Sequence, residues 1–174
     1  MEHKFNADDL FLLEEDTNST FPLNLDFIRN PKFATDFPGP GLYFLYFKDE
    51  LVYIGFFYPD GDKRDARMER MKKEIATISM RGREVVFTQN AFEAHQQCVN
   101  YPVFQGEISQ NGFQTSVNRV NFADKNWNEF KTNTFLCDFT FYWFPEEKAL
   151  NCTKKQLKAV TNQLREFYKP TCNG

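Results

Sequence analysis

The sequence contains few of the residue types that most often build a metal site. Of 174 residues, two are histidine and four are cysteine, and the cysteines form no CxxC pair and no ligand spacing with His3 or His95. We therefore expect reduced, mostly buried thiols and no zinc site. Glycine and proline are also scarce, at eight each, whereas 21 phenylalanines bring the aromatic content to 17%. This balance favours a folded body with an aromatic core over a disordered chain.

Long apolar runs are absent as well. No stretch of 18 apolar residues occurs, and the first residues do not place a basic region before an apolar one. The sequence therefore predicts a soluble, cytoplasmic protein without a membrane partner.

Net charge gives little indication of a nucleic-acid partner, because it is only −3. The distribution of charge is more informative. Residues 1–40 hold eight acidic and three basic side chains, whereas residues 63–84 hold eight basic and four acidic ones. The second segment is therefore the candidate surface for a phosphate backbone.

Two prolines and two glycines at residues 38–41 divide the chain, because neither residue type continues a helix. We expect an acidic N-terminal arm over residues 1–37, with one or two short helices, and a compact domain over residues 38–174. After the division, two runs of aromatic and aliphatic residues, 42–47 and 51–57, flank the polar residues 48–50. This pattern predicts a β-hairpin.

A basic helix should follow the hairpin, preceded by a turn at Asp60–Asp62. Its apolar residues recur at helical spacing, at Met68, Met71, Ile75 and Ile78. The next segment, 85–133, is predicted as a short strand at Val85–Phe87, a short helix at Ala91–Val99, and irregular or strand structure over Val103–Arg119.

The end of the chain carries clearer signals. Alternating apolar residues predict a strand over Thr134–Phe144, with Phe135, Cys137, Phe139, Phe141 and Trp143 on one face. Thr153 and Gln156 form a capping-box pattern ahead of an amphipathic helix, and Pro170 lies just past its end.

The tripeptides Gly41–Tyr43 (GLY) and Tyr53–Gly55 (YIG), ten residues apart, resemble the two motifs of the GIY-YIG nuclease family. Arg64, eleven residues after Tyr53, and the ending Pro170–Asn173 are similar to the pattern of its restriction-enzyme branch. The resemblance covers residues 38–174. It implies an α+β fold with a small three-stranded antiparallel sheet flanked by helices.

The resemblance also implies roles. Tyr43 would act as a base or base relay for water beside a DNA phosphodiester, Tyr53 would orient that water, and Arg64 would stabilise the phosphorane. Nucleic-acid contacts would come from Arg67, Arg70, Lys72, Lys73 and Asn173. From the residues alone, the tyrosines are equally well explained as packing residues. For Arg64, phosphate bound at the helix start is the favoured interpretation, and a salt bridge to a carboxylate such as Asp60 is the alternative. Arg70, Lys72 and Lys73 are interpreted as a solvated face able to track DNA.

The cofactor implied by the family is Mg²⁺ or Mn²⁺, held by a glutamate about three turns before the final asparagine. Counting back from Asn173 places that position near Thr161, and Lys154–Arg165 contains no carboxylate. A neutral hydroxyl cannot supply the charge that a hard divalent cation requires. The metal ligand is therefore unknown, and the reserve candidates are Glu129, Glu146, Glu147 and Glu166. Met68 also replaces the histidine often found one turn after the arginine.

Three hypotheses follow. The first is a metal-dependent DNA endonuclease of reduced activity. The second is an inactive GIY-YIG-like module that binds nucleic acid, a protein partner or a second copy of itself. The third is an unrelated α+β domain in which the tripeptides occur by chance. The sequence predicts little or no cleavage of DNA, and it predicts that Thr161→Glu creates cleavage if the missing carboxylate is the only defect.

Overall fold

The computed structural model describes residues 3–15, 25–30, 40–58, 66–79, 110–130, 132, 134–145 and 153–173. The strands in these ranges are β1 (His3–Asn6), β2 (Phe11–Glu15), β3 (Leu25–Arg29), β4 (Gly41–Phe47), β5 (Glu50–Phe57) and β6 (Phe139–Pro145). The α-helices are α1 (Ala7–Leu10), α2 (Ala66–Ser79), α3 (Gln110–Lys125), α4 (Trp127–Phe130) and α5 (Lys154–Tyr168). Across the described ranges, no helix has the length and hydropathy needed to cross a bilayer.

The main sheet is antiparallel, with the strand order β1-β6-β4-β5, and β2 and β3 form a separate two-stranded ladder. An α+β fold is therefore confirmed, but the sheet has four strands where three were expected. The additional strand, β1, comes from the segment predicted as an arm with short helices. It pairs with the outer edge of β6, from His3 opposite Trp143 to Asn6 opposite Thr140. This pairing satisfies the backbone hydrogen-bonding groups along that edge of β6. The residue pattern of the arm did not indicate that it would form a strand.

The predicted hairpin is present as β4 and β5, joined through Lys48, which has a positive φ of 53°. The pairing shifts between Leu45 and Tyr46. Side chains of β4 alternate between a fully buried inner face and a half-buried outer face. The inner face therefore meets the helices.

Aromatic rings fill the core beneath the inner face, as the composition predicted. Phe47 packs against Phe122, Phe130 and Phe139, with ring centroids 5.7, 4.9 and 5.0 Å away. These rings come from β4, α3, α4 and β6, so they join elements that are far apart in sequence.

Helix α2 buries Met71, Ile75 and Ile78, as its spacing predicted. Helix α3, in contrast, corrects the prediction of irregular or strand structure over Val103–Arg119, because the chain is helical from Gln110 onward. Asn111 and Gly112, interpreted as a turn, lie in its first turn. Burial of Val117 and Phe122 against the core outweighs their weak intrinsic preference for helix.

The predicted strand over Thr134–Phe144 is wrong in its first part. Phe135–Asp138 form a 3₁₀ turn, and only Phe139–Pro145 are extended. Cys137 is consequently exposed and does not share a face with Phe139. The capping box of α5 is confirmed: Thr153 and Gln156 cap each other's backbone groups.

Several expectations fall outside the described residues. They are the turn and cap at residues 60–62, the strand at 85–87 and the helix at 91–99.

Candidate functional site

Tyr43 and Tyr53 lie on neighbouring antiparallel strands and on the same face of the sheet. Tyr43 is opposite Gly55, and Tyr53 is opposite Leu45. Their ring centroids are 6.0 Å apart. The pair therefore has the arrangement that its sequence spacing predicted.

The glycines of the two tripeptides make this arrangement possible. A Cβ on Gly55 would lie 2.3 Å from Cζ of Tyr43, so any side chain there would displace the ring. A Cβ on Gly41 would lie 2.6 Å from the carbonyl oxygen of Phe144. Close packing thus explains both glycines without reference to catalysis.

Both rings are buried, with 1% of Tyr43 and 6% of Tyr53 exposed. The two rings therefore do not line an open cleft. Burial, and then the negative charge of Glu74, raise the pKa of both hydroxyls, that of Tyr43 well above its usual value. Neither tyrosine is therefore suited to act as a base at neutral pH.

Glu74 of α2 is the carboxylate that lies beside the tyrosine pair. The hydroxyl of Tyr43 lies 3.4 Å from its Oε1. Its Oε2 lies 2.5 Å from Nη2 of Arg119, which reaches it from α3. Arg119 also donates a hydrogen bond to Thr77. Glu74 and Arg119 thus form a buried ion pair that joins two helices.

Two further arginines approach the tyrosines. Arg165 of α5 donates to the hydroxyl of Tyr53 across 3.2 Å and to the carbonyl oxygen of Ile54 across 2.8 Å. Its guanidinium and that of Arg119 lie 5.4 and 4.9 Å from the centroid of the Tyr53 ring. Arg70 of α2 hydrogen-bonds to Tyr43 and lies at the exposed surface.

These side chains form what we call the arginine–tyrosine cluster. It consists of Tyr43, Tyr53, Arg70, Glu74, Arg119 and Arg165. Each arginine comes from a different helix, so tertiary packing assembles the cluster. A concentration of positive charge around a tyrosine pair is suited to an anion.

The residues predicted to bind phosphate do not all lie at the arginine–tyrosine cluster. Arg64 lies outside the described residues, and so does the side chain of Arg67. Arg70 is exposed, in agreement with its interpretation as part of a solvated face, and it also lies beside the hydroxyl of Tyr43. The Nζ of Lys72 lies 3.8 Å from Oε2 of Glu69, and Lys73 is exposed.

Asn173 binds the protein's own backbone. Its Oδ1 accepts from the amide of Ile54 at 2.8 Å, and its Nδ2 donates to the carbonyl of Ile54 at 3.3 Å. Cys172 N donates to Val52 O at 2.8 Å. The C-terminal residues therefore extend along β5, and Asn173 fastens them there.

Of the carboxylates considered as metal ligands, those in the described part of the chain do not contact the tyrosines. Glu129 pairs with Lys48 at the surface, and Glu166 is exposed on α5. Thr161 is fully buried and donates to Leu157 O at 2.8 Å. Glu146 and Glu147 lie outside the described residues. Within the described part of the chain, no three potential ligands are grouped for a metal ion.

Sequence reasoning missed Glu74, Arg119 and Arg165. One signal for Glu74 was available, since it lies four residues after Arg70 and shares its helix face. Arg119 carried no such signal, because its segment was predicted to be irregular.

Comparison with protein-family models, with curated proteins and with solved structures finds no match for this chain. The class that the structure defines is an α+β protein with a four-stranded antiparallel sheet and an arginine–tyrosine cluster built on two buried tyrosines.

Proposed function

We propose that this chain binds the phosphodiester backbone of DNA at the arginine–tyrosine cluster and hydrolyses it weakly or not at all. The observation that supports this most directly is the convergence of Arg70, Arg119 and Arg165 on Tyr43 and Tyr53. Planar guanidinium groups match the oxygen atoms of a phosphate in pairs.

The balance of charge favours an anionic ligand. Glu74 is compensated by Arg119, which leaves the positive charges of Arg70 and Arg165. Arg70 is the exposed member, so an incoming phosphate meets it first. Tyr43 keeps its proton, because burial and Glu74 raise its pKa, and donates a hydrogen bond to Glu74.

Weak hydrolysis follows from the same groups. The raised pKa values of Tyr43 and Tyr53 leave both without a role as base at neutral pH. Glu74 already accepts hydrogen bonds from Arg119 and Tyr43. Magnesium and manganese prefer several oxygen ligands, and this one occupied carboxylate does not supply them. The described side chains therefore do not fit Mg²⁺ or Mn²⁺, and no step through a metal is derived.

Binding of an end-labelled DNA duplex, followed by fluorescence anisotropy, tests the proposal. We expect Arg70→Ala to weaken binding by about tenfold, because it removes one charge-assisted phosphate contact. Lys158→Ala is the matched control, since it removes one exposed positive charge from α5. Equal affinities for the unaltered protein and Arg70→Ala would contradict the proposal.

A second candidate is the metal-dependent DNA endonuclease that the resemblance implies. One observation favours it: Glu74 places a carboxylate 3.4 Å from the hydroxyl of Tyr43. Strong cutting of plasmid DNA by the unaltered protein with Mg²⁺ or Mn²⁺ would establish it and contradict weak hydrolysis. If the missing anion is the only defect, Thr161→Glu should create such cutting, and Arg64→Ala in that background should abolish it. Because Thr161 is fully buried, the stability of this variant is measured alongside.

Two features of the proposal extend beyond the cluster. We place the protein in the cytoplasm, and we propose that a protein partner or a second copy of the chain is a further ligand. Size-exclusion chromatography coupled to light scattering tests the second copy.

A further inference from the structure

The outer face of the main sheet carries aromatic side chains that the arginine–tyrosine cluster does not use. They alternate with the buried residues of the two central strands, β4 and β6, and are half-buried. The exposed ring of Tyr168, on α5, stands beside them, 5.8 Å from that of Phe44. Together these residues line a groove of about 560 Å³ whose aromatic members are Phe44, Tyr46, Tyr142, Phe144 and Tyr168.

The rings on the strands form two pairs. Tyr46 and Tyr142 have centroids 5.4 Å apart, and Phe44 and Phe144 have centroids 5.1 Å apart, both edge to face. Tyr46 follows Phe44 by two residues on one strand, which corresponds to roughly 7 Å. The face therefore offers two neighbouring positions for flat ligands.

Positive charge lies at both ends of the groove. The ammonium of Lys4 is 5.8 Å from the centroid of the Tyr142 ring, so a cation already lies over one ring face. Lys48 lines the other end, where Asp49 and Asp138 also lie, and it pairs with Glu129. The groove is thus close to neutral overall, and Lys4 is the lysine placed to hold a phosphate. Most of the affinity for any ligand must then come from stacking.

We propose that this aromatic face binds single-stranded nucleic acid by stacking two adjacent bases, with Lys4 holding one phosphate. Aromatic side chains on the central strands of a four-stranded antiparallel sheet are an effective base platform, because every base has a π-face. A duplex does not suit this face, since its bases are already stacked and its binding depends on many phosphate contacts. The proposal is independent of the proposed function, which concerns the opposite face of the sheet.

Fluorescence anisotropy with end-labelled oligothymidylate and oligouridylate tests the proposal. We expect binding, weakened about tenfold or more by Tyr142→Ala. Val160→Ala is the control: this apolar residue of α5 is 44% exposed and does not line the groove. Because one phosphate is neutralised, the logarithm of the affinity should fall with the logarithm of salt at a slope of about 0.7. Preference for one oligonucleotide over the other would show whether the ribose hydroxyl is recognised.

A second measurement does not depend on the folding of a variant. The unaltered protein is irradiated with an iodouracil-substituted oligonucleotide, and the crosslinked peptides are identified. Crosslinks to β4 or β6 support the proposal. Crosslinks confined to residues 63–84, or equal loss of binding in Val160→Ala and Tyr142→Ala, would overturn it. So would failure of the folded protein to bind either oligonucleotide, a result that would leave this face to a protein partner.

Discussion

At the scale of single residues, Tyr43 shows how its surroundings determine its chemistry. Its hydroxyl lies beside the carboxylate of Glu74 and hydrogen-bonds to the guanidinium of Arg70. Burial and Glu74 raise its pKa, whereas Arg70 acts in the opposite direction and does not prevail. An incoming phosphate would favour the neutral hydroxyl further, because it adds negative charge. Tyr43 is therefore a hydrogen-bond donor to Glu74 in this structure.

The buried ion pair between Glu74 and Arg119 gives the first prediction at this scale. We expect Glu74→Gln to lower the free energy of unfolding by about 3 kcal/mol, because it leaves the guanidinium of Arg119 buried without its counter-charge. The double variant Glu74→Leu with Arg119→Met should recover most of that loss. Urea unfolding of Glu74→Leu, of Arg119→Met and of the double variant measures the coupling. Simply additive effects would mean that the two side chains do not stabilise each other.

The buried thiol of Cys172 should make the free energy of unfolding depend on pH. Burial raises the pKa of its thiol from 9.0 to about 12. Between these values the unfolded chain has lost the proton and the folded chain retains it, so stability present below pH 9 is lost as the pH rises. We expect this thiol to account for a loss of about 1.4 kcal/mol between pH 8 and pH 10.

Urea unfolding at both pH values, for the unaltered protein and Cys172→Ala, isolates that contribution. The exposed Cys137 is common to both proteins and cancels in the comparison. An identical pH dependence of the two proteins would show that Cys172 does not titrate in this way.

At the scale of elements, the C-terminal residues protect an edge of the sheet. β5 is the last strand in the order, and Thr171 N and Cys172 N donate to its Leu51 and Val52 carbonyls. Asn173 then occupies both backbone groups of Ile54. An open edge is prone to pair with other chains, so this short segment also limits association.

We expect Asn173→Ala to lower the free energy of unfolding by about 1–2 kcal/mol, because the partly buried amide of Ile54 loses its acceptor. Thr171→Ala is the control: it removes an exposed hydrogen bond to Glu50 and should change stability by less than about 0.5 kcal/mol. Thermal unfolding monitored by circular dichroism measures both. Loss of DNA binding by Asn173→Ala without loss of stability would instead restore its predicted role as a phosphate ligand.

At the scale of the whole molecule, the unequal distribution of charge matters more than the net value of −3. Arg70 joins the basic segment to the arginine–tyrosine cluster, since it belongs to α2 and bonds to Tyr43. A DNA backbone that follows α2 would therefore reach the cluster without leaving positively charged surface.

The corresponding prediction concerns salt. We expect duplex binding to weaken steeply as salt rises, and the slope of log affinity against log salt to decrease by about 2 or more when Arg70, Lys72 and Lys73 are all changed to alanine. The control changes Lys154, Lys155 and Lys158 of α5 to alanine, which removes the same charge elsewhere. Equal slopes for the two triple variants would show that only the net charge matters.

Much of the fold could be predicted because its signals are local. Two aromatic and aliphatic runs around a polar segment predicted the β4–β5 hairpin, helical spacing predicted the buried face of α2, and the Thr153 capping box predicted the start of α5. The first part of α3 and the pairing of β1 could not be predicted in this way. Both depend on contacts with residues distant in sequence, which outweigh the weak local preferences.

In the candidate site, the sequence by itself determined that the two tyrosines lie together. Strand pairing at a fixed spacing brings Tyr43 and Tyr53 to one face of the sheet. The positions of the arginines beside them depend on tertiary structure. Arg119 meets Glu74 across 45 positions of the chain, and Arg165 meets Tyr53 across 112. Such pairs form only when helices from distant segments pack on the same sheet, and a buried charge then requires its partner.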